Sequence, residues 1–250
     1  MSTPIAAILI IGNEILSGRT QDVNVQFIAK RLAELGIKLQ EVRVIPDVAG
    51  RIIGAVNELR AAYDMLFTTG GIGPTHDDIT SECVAAAFGL PWEHHAETFA
   101  KMHAHMGENF NAARQRMATM PRGATPIENS ISIAPGFSIG NVHVMAGVPR
   151  IMQAMFETLE PTLPRGLPIA MRAVHGMGVL EGSIAAGLSE IQARFPELDL
   201  GSYPFRREAG GGVAIVAKGT DLSAIEQAIA QATDLIAAQN VTPVQGEPAA

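Results

Sequence analysis

The sequence predicts an α/β protein, a mostly parallel sheet with helices on both faces, followed by a smaller α+β module. Three observations carry that reading. Short apolar runs alternate with helical periodicity over the first 70 residues, in the order β-α-β-α-β. The run Ile5 to Ile11 is continuously apolar, as in a strand buried on both faces. Pro161, Pro164 and Pro168 then break the periodicity before a second set of elements begins. Right-handed crossovers between parallel strands place helices on both faces of the sheet.

Each element has its own signal. The Ile5 to Ile11 strand ends at Gly12, and after a polar stretch Val25, Ile28, Ala29, Leu32 and Leu35 recur at helical spacing and stop at Gly36. Lys38 to Ile45 follows as a strand, Val48 to Ala62 as a helix, and Tyr63 to Thr69 as a third strand running into Gly70 and Gly71. Ile79 to Phe88 is expected as a helix, and Glu97 to Met117 as a longer, more polar one. Ile131 to Ala134 and Val142 to Met145 are expected as short strands. Pro149 opens a helix where its missing N–H costs nothing, with Ile151, Met155, Phe156 and Leu159 on the buried face.

Residues 1–165 are thus expected to form the larger domain and residues 166–242 a βαββα module. That module comprises a strand at Ile169 to His175, a helix at Glu181 to Phe195, strands at Leu198 to Pro204 and Val213 to Lys218, and a helix at Leu222 to Gln239. Gly210, Gly211 and Gly212 suit a hairpin turn. Residues 243–250 are expected to fray.

Composition narrows the function. Among 250 residues, 18 Lys and Arg face 25 Asp and Glu, a net charge of −7, with 47% hydrophobic and 5% aromatic residues. That balance excludes an intrinsically disordered chain and argues against nucleic acid as a partner. The single Cys83 forbids an intramolecular disulfide, so the cytoplasm is the expected compartment. The seven-residue apolar run is far short of the roughly 20 residues that span a bilayer, and no membrane partner is expected.

The stretch Thr68-Thr-Gly-Gly-Ile-Gly-Pro-Thr-His-Asp-Asp-Ile-Thr80 carries the most chemistry. A buried strand delivers Thr69, Gly70, Gly71 and Gly73 to the carboxyl edge of the sheet, where a Gly-rich turn before a helix favours phosphate. The adjacent Asp77 and Asp78 would repel phosphate unless a divalent cation such as Mg²⁺ lies between. The alternative is that Asp78 caps the helix and the glycines make a tight turn. The loop after the first strand reaches the same edge, with Glu14 as a metal ligand and Ser17, Asp22 and Asn24 as ligand contacts. Asp22 or Asn24 could instead cap the next helix. Ala134-Pro-Gly-Phe137 is a further turn, and Met145-Ala-Gly-Val-Pro-Arg150 offers a second anion site at Gly147 and Pro149 with Arg150 nearby, or a plain strand-to-helix loop.

Those four segments, colinear over Ile5 to Leu163, closely resemble the molybdopterin-binding (molybdenum-cofactor biosynthesis) domain, and within it the amino-terminal part of the competence/damage-inducible CinA family. The resemblance implies a three-layer α/β/α domain that often oligomerises, and the small carboxyl-terminal module resembles the one that follows it in that family. The family's further nicotinamide-mononucleotide amidohydrolase domain is not matched here, and its activity is not expected. One branch of the family adenylylates molybdopterin with Mg-ATP, whereas the CinA-like branch is associated with metal-dependent hydrolysis of ADP-ribose. In the adenylyltransferase branch the loop usually reads Gly-Gly-Thr-Gly, with Arg before the Asp matching Asp78; this chain has Ile72 and Asp77 there. A negative charge in place of a positive one favours metal-bridged binding and the hydrolase branch.

The expected enzyme is therefore a metal-dependent pyrophosphatase acting on ADP-ribose or a similar nucleoside diphosphate sugar. Asp78 with Asp77 or Glu14 would hold the cation, the three glycine amides would stabilise phosphoryl charge, and His76 is the candidate proton carrier. The alternatives are a non-catalytic module that binds a pterin or nucleotide, and a molybdopterin adenylyltransferase. His94, His95, His103 and His105 lack the spacing of a tetrahedral site and are expected at the surface.

Overall fold

Six consecutive buried residues mark β1 (Ile5–Ile11) as an interior strand of the larger sheet. In this computed structural model, which describes residues 3–208 and 210–248, the chain divides into two units, Met1–Gly166 and Leu167–Ala250. The first continues through α1 (Asn13–Leu16), α2 (Asn24–Glu34), β2 (Lys38–Ile45), α3 (Ala49–Ala62), β3 (Met65–Thr69), α4 (Thr80–Phe88), β4 (Trp92–His94) and α5 (Ala96–Met106). It closes with α6 (Ala112–Gln115), β5 (Thr119–Pro121), β6 (Thr125–Ile127), β7 (Gly136–Ile139), β8 (Val142–Met145) and α7 (Pro149–Leu159).

The sheet runs β2-β1-β3-β8-β7-β6. The first four strands are parallel, and β7 and β6 join antiparallel at one edge. Alternation along β1 sorts its side chains to two faces. Ala7, Leu9 and Ile11 pack with Ile52, Val56 and Leu59 of α3 and Val84 of α4. Ala6, Ile8 and Ile10 pack with Ile28 and Leu32 of α2 and Met152, Met155 and Phe156 of α7. Each of the buried Ile, Leu, Val, Met and Phe side chains contributes about 1.5–3 kcal/mol, so both helical layers are held on the sheet and the unit is a three-layer α/β/α domain.

Two expected elements of the first unit differ. Instead of one helix over Glu97 to Met117, α5 stops at Gly107, whose φ of 54° is left-handed, and a new helix starts where the Asn111 side chain accepts from Arg114 N–H at 3.1 Å. Ile131 to Ala134 is not a strand. The Asn129 carboxamide accepts from the N–H groups of Ile131 and Ser132 (3.1 and 2.6 Å) and donates to the Ala134 carbonyl (3.0 Å), replacing the bonds a neighbouring strand would make. The strand lies instead at Gly136–Ile139.

The second unit comprises β9 (Ala170–Met177), α8 (Glu181–Arg194), β10 (Asp199–Arg207), β11 (Gly210–Gly219), α9 (Leu222–Ala237) and β12 (Val244–Gln245). Its antiparallel sheet runs β10-β11-β9-β12, and Val174, Val213, Ile215 and Ala217 pack with Ile184 and Ile191 of α8 and Ile225, Ile229 and Ile236 of α9. Gly210, Gly211 and Gly212 lie inside β11, paired with Arg207, Arg206 and Phe205, rather than in the turn. A Cβ on Gly212 would sit 2.2 Å from the Gly176 carbonyl oxygen. The segment expected to fray is partly ordered, since Val244 and Gln245 pair with β9 and Gly246 N–H donates to the Ala173 carbonyl at 2.8 Å. Residues 249 and 250 of that segment lie outside the described residues.

His143, in the middle of β8, is 9% exposed. Its Nδ1 lies 2.8 Å from Ser138 Oγ and its ring packs against Phe67, centroids 5.2 Å apart. Burial pushes the imidazole down to about 4 from its ordinary 6.5. The unfolded chain therefore takes up a proton at His143 below about pH 6.5, and the folded one only near 4, so stability present above 6.5 is lost as the pH falls through that window. Urea unfolding of the parent and of His143→Phe at pH 7 and pH 4 tests this. The parent is expected to lose about 3 kcal/mol more than the variant.

Candidate functional site

Parallel pairing directs the C-terminal ends of β1, β2, β3 and β8 to one edge of the first unit, the edge at which open α/β sheets take their ligands. A cavity of about 410 Å³ opens there. Ile11 and Glu14 reach it from the end of β1, Asp47 from the end of β2, Gly70 to Thr75 with Asp77 and Asp78 from the end of β3, and Ala146, Gly147 and Val148 from the end of β8. Met117 and the Ser132, Ala134 and Pro135 loop close the other side, with Ile151 and Met155 of α7.

Glycine is obligatory where these loops meet. Gly70 has φ of 101°, and a Cβ there would lie 2.1 Å from the Ile11 carbonyl oxygen. Its N–H donates to the Met145 carbonyl at 3.1 Å, so this amide is committed to joining β3 to β8 and is not free for a ligand. Gly71 (φ 68°) turns over Thr80, whose Oγ1 would be 2.2 Å from a Cβ. The N–H groups of Gly71 and Gly73, like that of Ile72 between them, find no acceptor among the described residues.

The acidic turn that follows is tightly bonded. Thr75 N–H donates to Asp78 Oδ2 at 2.8 Å, and the Thr75 hydroxyl lies 2.6 Å from the same oxygen and within hydrogen-bond distance of Asp77 Oδ1. Asp78 therefore closes this turn rather than capping α4, whose N-cap is Ile79. Hydrogen bonds from Thr75 and from its own backbone, with a smaller pull from His76, hold the Asp77 carboxyl below the ordinary aspartate range.

The lining holds four carboxylates, Glu14, Asp47, Asp77 and Asp78, and no lysine or arginine. Their hard oxygens suit a divalent cation. Among the described residues, however, no group of three or more His, Cys, Asp or Glu is arranged to hold a metal ion. Glu14, Asp77 and Asp78 share the cavity without forming a ready-made three-ligand set. The fit is that of one or two carboxylates completed by ligand oxygens, which is how Mg²⁺ is commonly held.

Of the other residues given a ligand or catalytic role from the sequence, Gly70, Gly71, Gly73 and Gly147 line the cavity and the rest do not. The His76 side chain is 98% exposed and 3.9 Å from Asp77, so it faces solvent outside the cavity. Asp22 Oδ1 accepts from Val25 N–H at 2.9 Å, which ties it to the start of α2. Asn24 is buried and donates to the Gly147 carbonyl at 2.9 Å, joining two loops from behind. Ser17 is exposed and bonds the Glu14 carbonyl, Thr69 is buried inside β3, and Pro149 and Arg150 open α7 on the exposed surface.

Asp47, Met117 and Ser132 are cavity residues that the sequence motifs do not reveal. Asp47 has a usable signal, because it lies two residues past the end of a parallel strand. It also accepts from Asn13 N–H at 2.8 Å, which anchors α1.

Comparisons with known proteins agree with this architecture. Residues 7–165 match the family described as "Probable molybdopterin binding domain", and residues 174–245 match "FAD synthase, middle domain". A protein from Pyrobaculum calidifontis is 36% identical over 212 residues, covering 80% of this chain and 81% of its own. A "CinA-like protein" from Desulfovibrio desulfuricans is 32% identical over 88% of this chain, which spans only 53% of that relative's length. The solved structure of the protein CinA from Thermoplasma acidophilum, described as of unknown function, superposes with a TM-score of 0.61 at 31% identity over 64% of this chain and 98% of that one. The chain therefore belongs to the molybdopterin-binding domain family, among its CinA-like members.

Proposed function

We propose that the cavity binds a nucleoside diphosphate sugar such as ADP-ribose, together with a divalent cation, and hydrolyses its pyrophosphate to AMP and a sugar phosphate. One observation carries this reading: free glycine amides suited to phosphate share a cavity with four carboxylates and no basic side chain. Phosphate and carboxylate repel each other unless a cation lies between them. Bound by Asp78 with Asp77 or Glu14, that cation, Mg²⁺ in the simplest case, would neutralise phosphate charge and acidify water.

The chain's own groups do the rest. Gly71 and Gly73 N–H donate to phosphate oxygens and stabilise the charge that gathers on them. Asp77, already held below the ordinary range, stays ionised across the physiological pH range. Since His76 faces solvent, the proton released by water would pass to Glu14 or Asp47, the cavity carboxylates on the β1 and β2 side. The apolar side made by Met117, Pro135 and Ile151 suits a planar ring.

That side would also accept a pterin without turnover, and metal dependence separates the two readings. A rise in melting temperature with ADP-ribose only when Mg²⁺ is present supports the hydrolase; a rise with a pterin in the absence of metal supports the binding module.

Two variants extend the test. Asp78→Asn is expected to lower AMP release from ADP-ribose by about 100-fold, and equal rates in variant and parent would exclude the assignment. Asp22→Ala is expected to cost about 1 kcal/mol of stability through the lost bond at the start of α2, measured by chemical denaturation.

A further inference from the structure

We infer that Arg116 is a positioning residue for the Asp78 carboxylate, an extension that rests on the cation-bridged reading above. Two of the bonds that fix Asp78 are internal to its turn: its N–H donates to the Thr75 carbonyl at 3.2 Å, and Oδ2 accepts from Thr75 N–H at 2.8 Å. Such bonds hold the turn's shape but move with it. Among the described residues, the hydrogen bond that ties the turn to a distant segment is Arg116 Nη2 donating to the Asp78 carbonyl at 3.2 Å, from 38 residues further along the chain.

Arg116 is itself held on two sides. Its guanidinium carbon lies 4.9 Å from the centroid of the Trp92 ring, and Nη2 is 3.7 Å from a carboxylate oxygen of Glu82, in the first turn of α4. Trp92 is fixed in turn by its indole N–H, which lies 3.0 Å from Ser81 Oγ and 3.1 Å from the Thr119 carbonyl oxygen. A planar guanidinium stacks on the ring and donates to the carbonyl in one fixed geometry, whereas an ammonium is a point charge with no plane to hold it there. The next residue, Met117, lines the cavity, so the same clamp connects the acidic turn to the opposite wall.

Two effects of Arg116 on a bound cation have opposite signs. Its positive charge repels the cation, whereas its grip on Asp78 pre-organises a ligand. The side chain is 32% exposed and has Glu82 alongside, so solvent and that carboxylate offset much of the charge. The grip is therefore the larger effect.

The test is titration of Mn²⁺ into the full chain in the presence of AMP, followed by the EPR signal of free Mn²⁺, for the parent, Arg116→Met, Arg116→Lys and Asp78→Asn. Arg116→Met is expected to weaken Mn²⁺ binding about tenfold although it removes a positive charge, and Arg116→Lys to recover less than half of that loss. A purely structural role would lower the melting temperature without moving an affinity measured well below it. Binding by Arg116→Met as tight as the parent's, or tighter, overturns the inference and leaves the cation-bridged reading standing. A parent that binds Mn²⁺ no better than Asp78→Asn overturns both. Should Arg116→Met not fold, Arg116→Lys decides: weakened binding supports the clamp, and parental affinity overturns it.

Discussion

The functional edge depends on the close approach of Gly70 to the end of β1. The atom that excludes a side chain there is the Ile11 carbonyl oxygen, which is backbone and cannot move without disturbing the register that pairs Ile10 with Thr69. From that contact the other loops take their places. Gly70 N–H joins the end of β8, Gly147 packs with its own Cβ position 3.3 Å from the Gly70 Cα, and buried Asn24 holds the Gly147 carbonyl from α2. Three loops from three strands are thus fixed by contacts that involve almost no side-chain freedom, and little ordering entropy remains to be lost on binding.

Electrostatics is arranged around the same edge. Several basic side chains of the first unit are matched to acids away from the cavity: Arg43 with Glu41 and Glu58, Arg31 with Glu160 and Glu34, Arg122 with Glu93, and Lys101 with Glu128. The pairing with Glu58 and Glu41 raises the Arg43 guanidinium above its already high range. Exposed pairs of this kind contribute at most about 1 kcal/mol each to stability. None of these paired side chains lines the cavity, where four carboxylates stand without a basic residue in the lining.

The fold was legible wherever hydrophobic period alone decides structure. β1, α3, β3, α7 and the second unit's helices fall where their periodicity places them. The misread segments are those governed by a polar side chain or by a glycine's backbone conformation. One carboxamide, that of Asn129, diverts Ile131 to Ala134 from the sheet, and a left-handed Gly107 divides the expected long helix. The candidate site follows the same rule. Backbone-determined positions, the glycine loop and the two aspartates after it, lie at the cavity, since a strand end dictates where they go. Side-chain direction has no such signature in sequence, so His76 turns outward and Asp22 inward to its own helix, while Asp47 and Arg116 arrive without a motif.

Trp92 is the chain's one tryptophan, fixed in the first unit by Ser81, Thr119 and the guanidinium above it, whereas the second unit's one tyrosine, Tyr203, absorbs and emits more weakly and at shorter wavelength. Tryptophan emission during denaturation therefore follows the melting of the first unit alone, whereas far-ultraviolet dichroism sums the helices of both. Coincident curves from the two signals mean that the units unfold as one cooperative body, and separated curves give each unit a stability of its own.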